Sequence, residues 1–245
     1  MANAVACDFF EAFPMSYQVN AAESHGLDLP TPLREGIDPF ISRTYNFLFA
    51  ALATMAVTGL VSYWLVPRSW FGGIAIADCL LWIACGWFCW RQPIGFVFPV
   101  FSVVTGLFLG QLANFYADVF LSAAVMTLVA FGGLSFYVHL TRKDFSFMAG
   151  FLCLSFFIML GGIVLSFLVD STAFMIGLTG FGVLVFGCWI LFDTSRIIHR
   201  ADEELTPAVG AFELFLDIIG LFSWLLDLLH LFDSPGAGID LDFDV

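Results

Sequence analysis

The sequence predicts an all-α polytopic membrane protein with seven transmembrane helices, and three observations support this. The 245-residue chain is 60% hydrophobic and only 12% charged, whereas soluble domains average about half apolar and about a quarter charged. Apolar runs of about 20 residues, the length that crosses a bilayer, follow one another with very short breaks. The basic residues are divided unevenly between alternate loops, as in membrane proteins of defined orientation.

Short segments rich in Pro or charge separate the predicted spans, for example Pro67-Arg68-Ser69 and Thr141-Arg142-Lys143-Asp144. The seven spans lie near residues 44–66, 70–90, 94–115, 118–140, 145–169, 173–198 and 206–231. Both ends of the chain are acidic, and acidic segments punctuated by Pro are normally solvated. We therefore predict three regions: a largely disordered cytoplasmic tail at 1–42, a transmembrane domain at 43–231, and an acidic C-terminal tail at 232–245.

The basic residues indicate the orientation of the chain in the membrane. Alternate loops hold seven of them on the side of the N-terminus: Arg34, Arg43, Arg91, Arg142, Lys143, Arg196 and Arg200. Arg68 lies on the other side. Because cytoplasmic loops carry an excess of Lys and Arg, the N-terminus is predicted to be cytoplasmic and the C-terminus to lie outside. In a six-span alternative, a re-entrant last helix returns the C-terminus to the cytoplasm. The short loops favour a bacterial inner membrane, and the endoplasmic reticulum is the alternative for a eukaryotic protein.

Two carboxylates, Asp193 and Asp217, lie inside strongly hydrophobic spans. A charged side chain at the bilayer centre costs roughly 2.5–3.5 kcal/mol on insertion scales, so it needs a partner or a watery path. Counting along the helices from Arg200 and Pro207 places the two acids roughly 10 and 15 Å from the cytoplasmic surface. Consecutive helices are usually antiparallel neighbours, so the two side chains are predicted to be able to meet.

Two adjacent carboxylates in a low dielectric cannot both ionise comfortably, so they would share one proton. The pair would then act as a proton-sensitive latch between the sixth and seventh spans. The alternative is that each acid is satisfied separately, Asp193 by Arg196 three residues later. Arg43, at the start of the first span, is a second candidate charge partner.

Three further acids are candidates for a cation pathway. Glu213 and Asp227 fall on the same face of the last span as Asp217, which suggests that one side of this helix lines a cation-accessible cavity. Asp227 could instead lie near the outer surface. Asp78, in the second span, either faces the same cavity or stays protonated.

Carboxylate oxygens suit calcium or protons, so a calcium ion could bind near Asp193 and Asp217, at most transiently. No resident metal, cofactor or enzymatic activity is predicted, and eight basic residues in an acidic chain do not indicate a nucleic-acid partner. A zinc hydrolase would need His139, His199 and His230 to meet. The first two lie near the cytoplasmic ends of their spans and His230 near the opposite face, so zinc chemistry is not favoured.

Four segments of the chain resemble the Bax inhibitor-1 family of membrane proteins, also called the TMBIM group, over residues 42–231. These are Ser42-Arg43-Thr44-Tyr45-Asn46, Thr141-Arg142-Lys143-Asp144-Phe145-Ser146, Phe192-Asp193-Thr194-Ser195-Arg196-Ile197 and Leu214-Phe215-Leu216-Asp217-Ile218-Ile219. Their common order and spacing make the resemblance specific. It implies a seven-helix bundle whose last helix is enclosed by the other six, and a pH-sensitive calcium leak in which Asp193 and Asp217 form the sensing pair.

A passive, proton-gated calcium or cation leak is therefore the leading functional prediction. The alternative from a different class is a non-conducting regulatory membrane protein that binds a membrane protease or a cell-death or stress factor. A calcium/proton exchanger is a third hypothesis, because the same acids could carry protons instead of gating a path.

Overall fold

The structure is a computed structural model that describes residues 39–88, 94–169, 171–199 and 205–233, with side chains at 83–88 and 94–96 left out. This part of the chain folds into seven α-helices and two short 3₁₀ turns. The helices are α1 (Pro39–Leu65), α2 (Phe71–Phe88), α3 (Ile94–Phe115), α4 (Ala117–Thr141), α5 (Ala149–Ser166), α6 (Thr172–His199) and α7 (Pro207–Asp233), and the turns are Arg68–Trp70 and Ser146–Met148. The prediction of an all-α fold with seven helices is confirmed.

The helices expose large apolar side chains on their outer faces. Six of the seven described helices are long and apolar enough to cross a membrane, and α2 is not among these six. Residues such as Phe49, Leu121, Val129 and Phe167 are largely exposed, whereas soluble proteins rarely leave extended apolar surfaces open to water. The chain is therefore a multi-pass membrane protein, and lipid is the solvent of these faces.

The first helix begins earlier than the sequence predicts. The structure starts α1 at Pro39, so residues 39–42, which the predicted boundary assigns to the N-terminal tail, form its first turn. Proline suits this position because its missing N–H would have no partner there. The rest of the predicted N-terminal tail, residues 234–245 and the basic residues Arg34, Arg91 and Arg200 lie outside the described residues.

The last helix, α7, lies at the centre of the bundle. It contacts α1, α3, α4 and α6, and 72% of its 18-residue apolar stretch is buried. Aromatic rings fill the interface with α3: Phe98 and Phe101 pack edge to face on Phe212 and Phe215, with ring centroids 5.4–6.0 Å apart. The prediction of a central C-terminal helix is confirmed.

Glycines bring the backbone of α6 close to that of α7. Gly182 on α6 packs against the ring of Trp224, and Gly220 on α7 packs against the ring of Phe186. A Cβ atom at either glycine would collide with the opposing ring, so a larger residue would force the helices apart. This close packing places polar groups of α6 and α7 within reach of each other.

Candidate functional site

Two buried acids meet at the interface between α6 and α7. The carboxyl groups of Asp193 on α6 and Asp217 on α7 lie within hydrogen-bonding reach of each other. Both are shielded from solvent, with exposed fractions of 4% for Asp193 and 5% for Asp217. We call these two residues the acid pair. The structure thus brings together two acids that the sequence places at similar depths on consecutive helices.

Arg196 links the acid pair to a third carboxylate. Its Nη1 atom lies 3.4 Å from Oδ1 of Asp193 and 3.3 Å from Oε1 of Glu213. Its guanidinium carbon lies 5.6 Å from the centre of the Phe192 ring, a range in which a cation is attracted to an aromatic face. The side chains of Arg196 and Glu213 are 22% and 27% exposed. Arg196 therefore bridges α6 and α7 at a more solvated level than the acid pair.

Asp217 differs from Asp193 and Glu213 in its hydrogen bonds and its contact with Arg196. Its Oδ2 atom is buried and accepts no hydrogen bond from a donor in the described part of the chain. Arg196 contacts Asp193 and Glu213 directly. If all three carboxyl groups ionised, the charge of the Arg196 guanidinium would equal only one of the three negative charges. A proton held between Asp193 and Asp217 would reduce that imbalance and supply the missing hydrogen bond.

The other sequence-predicted candidates lie outside this cluster. Asp78 on α2 is buried and accepts a hydrogen bond of 2.9 Å from the hydroxyl of Thr105 on α3. Asp227 is exposed near His230, ten residues and therefore about 15 Å along α7 from Asp217. Arg43 is exposed on α1, and no residue in the described ranges forms an ion pair with it. Their roles in a cation path or as a charge partner stay predictions.

Ser195 and His199, for which the sequence predicts no structural contact, attach the end of α6 to the loop before α5. The backbone N–H of Phe145 donates to the hydroxyl of Ser195 at 3.0 Å, and this hydroxyl donates to the carbonyl oxygen of Lys143 at 3.3 Å. Nε2 of His199 lies 3.2 Å from the carbonyl oxygen of Arg142. No sequence signal reveals these contacts, because Ser and His near a helix end are common in any membrane protein.

The three histidines that the structure describes lie at opposite ends of the bundle, His139 and His199 at one end and His230 at the other. His139 packs against Tyr45, and His199 contacts the loop after α4, whereas His230 packs against Tyr116 at the start of α4. Among the residues described, no group of three or more His, Cys, Asp or Glu side chains could hold a metal ion. Two adjacent carboxyl groups, such as those of the acid pair, can hold and exchange a proton.

Comparison with known proteins assigns the chain to a family. Residues 38–234 match the family described as Bax1-I, Inhibitor of apoptosis-promoting Bax1. The chain belongs to this family. This Bax1-I protein is 30% identical over 207 residues to Bax inhibitor 1 of Schizosaccharomyces pombe, which covers 80% of this chain and 77% of that protein. The resemblance inferred from the four sequence segments is confirmed.

Viral and bacterial relatives extend the similarity. The chain is 28% identical over 216 residues to the Golgi anti-apoptotic protein of vaccinia virus, covering 78% of this chain and 84% of the viral protein. It is 35% identical over 141 residues to an uncharacterized membrane protein of Vibrio cholerae. That match covers 55% of this chain and 62% of the bacterial protein, so the chain spans less than two thirds of this relative.

Proposed function

We propose that this protein is a passive, pH-sensitive calcium leak in which a proton shared by Asp193 and Asp217 holds α6 and α7 together. The observation that supports the proposal most is the buried approach of two carboxyl groups. Among the described residues, one cation contacts the pair directly, from Arg196 to Asp193. An acid pair of this kind changes its interaction from attractive to repulsive when it loses a proton.

Electrostatics gives the size of this change. Two unit negative charges about 4 Å apart repel by ~4 kcal/mol at an effective dielectric constant of about 20. That energy corresponds to a change of about a thousandfold in the ratio of joined to separated helices. Loss of the shared proton would therefore favour separation of α6 and α7. Because both carboxyl groups are shielded from solvent here, the present arrangement fits a closed path.

The more exposed bridge between Arg196 and Glu213 is the proposed mouth of the path. Glu213 would attract the cation, and Arg196 would compete with it for the same carboxylates, so that calcium passes without being retained. Basic residues on this side of the bundle favour a cytoplasmic location for the mouth. A bacterial inner membrane is the proposed location, and the bacterial relatives support it. The endoplasmic reticulum is the alternative for a eukaryotic protein, since a yeast relative is also similar.

Calcium flux into liposomes tests the proposal. The purified protein is reconstituted, and flux is recorded at several pH values for the wild type, Asp193→Asn, Asp217→Asn and the double variant. Asp118→Asn is the matched control, because Asp118 is exposed in the first turn of α4. We expect the control to behave like the wild type and the acid-pair variants to lose pH-dependent flux. Wild-type liposomes that stay tight to calcium at every pH would exclude a leak.

The names of two relatives favour a second candidate. Bax inhibitor 1 and the Golgi anti-apoptotic protein carry names that refer to cell death, so a regulator that binds a membrane protease or a cell-death or stress factor is the alternative. Tight liposomes together with a specific copurifying membrane protein would support it. An imposed pH gradient that drives calcium uphill would instead identify a calcium/proton exchanger.

A further inference from the structure

Three buried hydroxyl groups converge between α1, α4 and α6. The hydroxyl of Tyr45 on α1 lies beside those of Ser135 on α4 and Thr194 on α6. Thr194 is fully buried, and Ser135 is 7% exposed. All three oxygen atoms are buried, and none forms a hydrogen bond with a group in the part of the chain that the structure describes. We call these residues the hydroxyl cluster.

Other hydroxyls on the same helices are satisfied within their own helix. Thr127 on α4 donates to the carbonyl oxygen of Ala123, and Thr179 on α6 donates to that of Met175, each at 2.8 Å. This local bond to the residue four positions earlier is the usual solution for Ser and Thr inside a helix. The members of the hydroxyl cluster do not use it. The Ser135 and Thr194 hydroxyls lie next to that of Tyr45 without the distance and angle of a direct hydrogen bond, so one bridging group could serve all three.

A buried polar group without a hydrogen bond is costly, and in a bilayer bulk water does not reach it. We propose that the hydroxyl cluster binds one ordered water molecule that joins α1, α4 and α6. A buried water typically makes about three hydrogen bonds to groups that otherwise lack a partner. Each hydroxyl can donate or accept, so a single water satisfies Tyr45, Ser135 and Thr194 together.

The chemistry of the cluster selects water over a metal ion. Three uncharged hydroxyl oxygens supply no negative charge, whereas calcium takes six to eight oxygen ligands that usually include carboxylates. The cluster lies at the membrane depth of the acid pair, because Thr194 directly follows Asp193 on α6. The water site is independent of the proposed leak, since it would hold the same three helices together in a protein that conducts nothing.

X-ray hydroxyl-radical labelling of the full chain in nanodiscs tests this proposal. Radiolysis creates radicals from bound water in place, so a buried aromatic beside an ordered water is labelled far faster than one in a dry core. Phe101 and Phe215 are the dry references, because both are fully buried. We expect Tyr45 to be labelled at least tenfold faster than either phenylalanine.

A pair of variants separates bound water from general solvent access. Ser135→Ala combined with Thr194→Val leaves Tyr45 in place and removes two anchors of the water, so labelling of Tyr45 should fall at least fivefold. Thr127→Val combined with Thr179→Val is the matched control, since these hydroxyls bond to their own helices. It should leave Tyr45 labelling unchanged.

The proposal is overturned if Tyr45 is labelled no faster than Phe101, or if its labelling survives in the Ser135→Ala/Thr194→Val variant. Thermal unfolding provides a second measurement with a clear sign. Removing two hydroxyls from a hydrated site should lower the melting temperature, whereas removing unpaired hydroxyls from a dry site should raise it. A raised melting temperature would therefore also count against the bound water.

Discussion

Asp217→Asn tests the latch most directly, because asparagine keeps the size and hydrogen-bonding capacity of the side chain and removes its charge. In the wild type, loss of the shared proton would place two negative charges at the α6–α7 interface, with a repulsion of ~4 kcal/mol at about 4 Å and an effective dielectric constant of about 20. In the variant this repulsion is absent at every pH. Arg196, which contacts Asp193 at 3.4 Å, offsets part of it, so the thousandfold shift that ~4 kcal/mol represents is an upper value.

We therefore expect calcium flux through Asp217→Asn liposomes to be at least tenfold below the wild type at the pH where the wild type conducts best. The flux should also vary little with pH. The readout is the initial rate of a calcium dye inside liposomes, normalised to the amount of reconstituted protein, with Asp118→Asn beside it. Wild-type rates and an unchanged pH profile in Asp217→Asn would refute the latch.

Three further changes test the Arg196 bridge, the packing of α3 on α1 and the attachment of the end of α6, each by equilibrium unfolding in mixed micelles. Arg196→Gln removes the cation from Asp193 and Glu213 and should lower the free energy of unfolding by about 1–2 kcal/mol. This is below the value for a fully buried ion pair because the side chains of Arg196 and Glu213 are about a quarter exposed. Unchanged stability would contradict the bridge. Gly110→Ala should cost about 1–3 kcal/mol, because its Cβ would collide with the backbone of α1. Gly132→Ala meets nothing within 4 Å and is its control. Ser195→Ala should cost about 1–3 kcal/mol by leaving the Phe145 N–H without its acceptor, and a neutral effect would show that this N–H finds another partner.

The fold could be predicted well because the bilayer restricts it so strongly. Only helices and closed β-barrels satisfy their backbone within the hydrocarbon, and apolar runs of about 20 residues fit helices and not the shorter barrel strands. These runs therefore define the elements almost alone. The helix ends could be predicted less well, because hydropathy does not distinguish a helical turn from a loop. The start of α1 at Pro39 and the 3₁₀ turn Ser146–Met148 before α5 are two such cases.

The acid pair could be anticipated from depth, because 1.5 Å of rise per residue fixes how far each aspartate lies from its helix end. Which way the helices are rotated could not be obtained in this way. That rotation depends on the packing of Gly182 on Trp224 and of Gly220 on Phe186. The sequence shows where the glycines lie, but not which side chains pack against them. The hydroxyl cluster could not be predicted for the same reason. In sequence, a Ser or Thr that bonds to its own helix cannot be distinguished from one that faces another helix.

The sequence left two alternatives for Asp193: it either pairs with Arg196 or shares a proton with Asp217. In the structure Asp193 lies beside both Arg196 and Asp217, so its contact with Arg196 does not exclude a proton shared with Asp217. Arg196 also contacts Glu213. In the proposed latch, Arg196 would keep Asp193 beside Asp217 without supplying a cation to Asp217 itself. The charge of the group would then depend on the proton that the two acids share. A protein in which Arg196 contacted Asp193 alone, with Asp217 turned to a cation of its own, would have no such dependence.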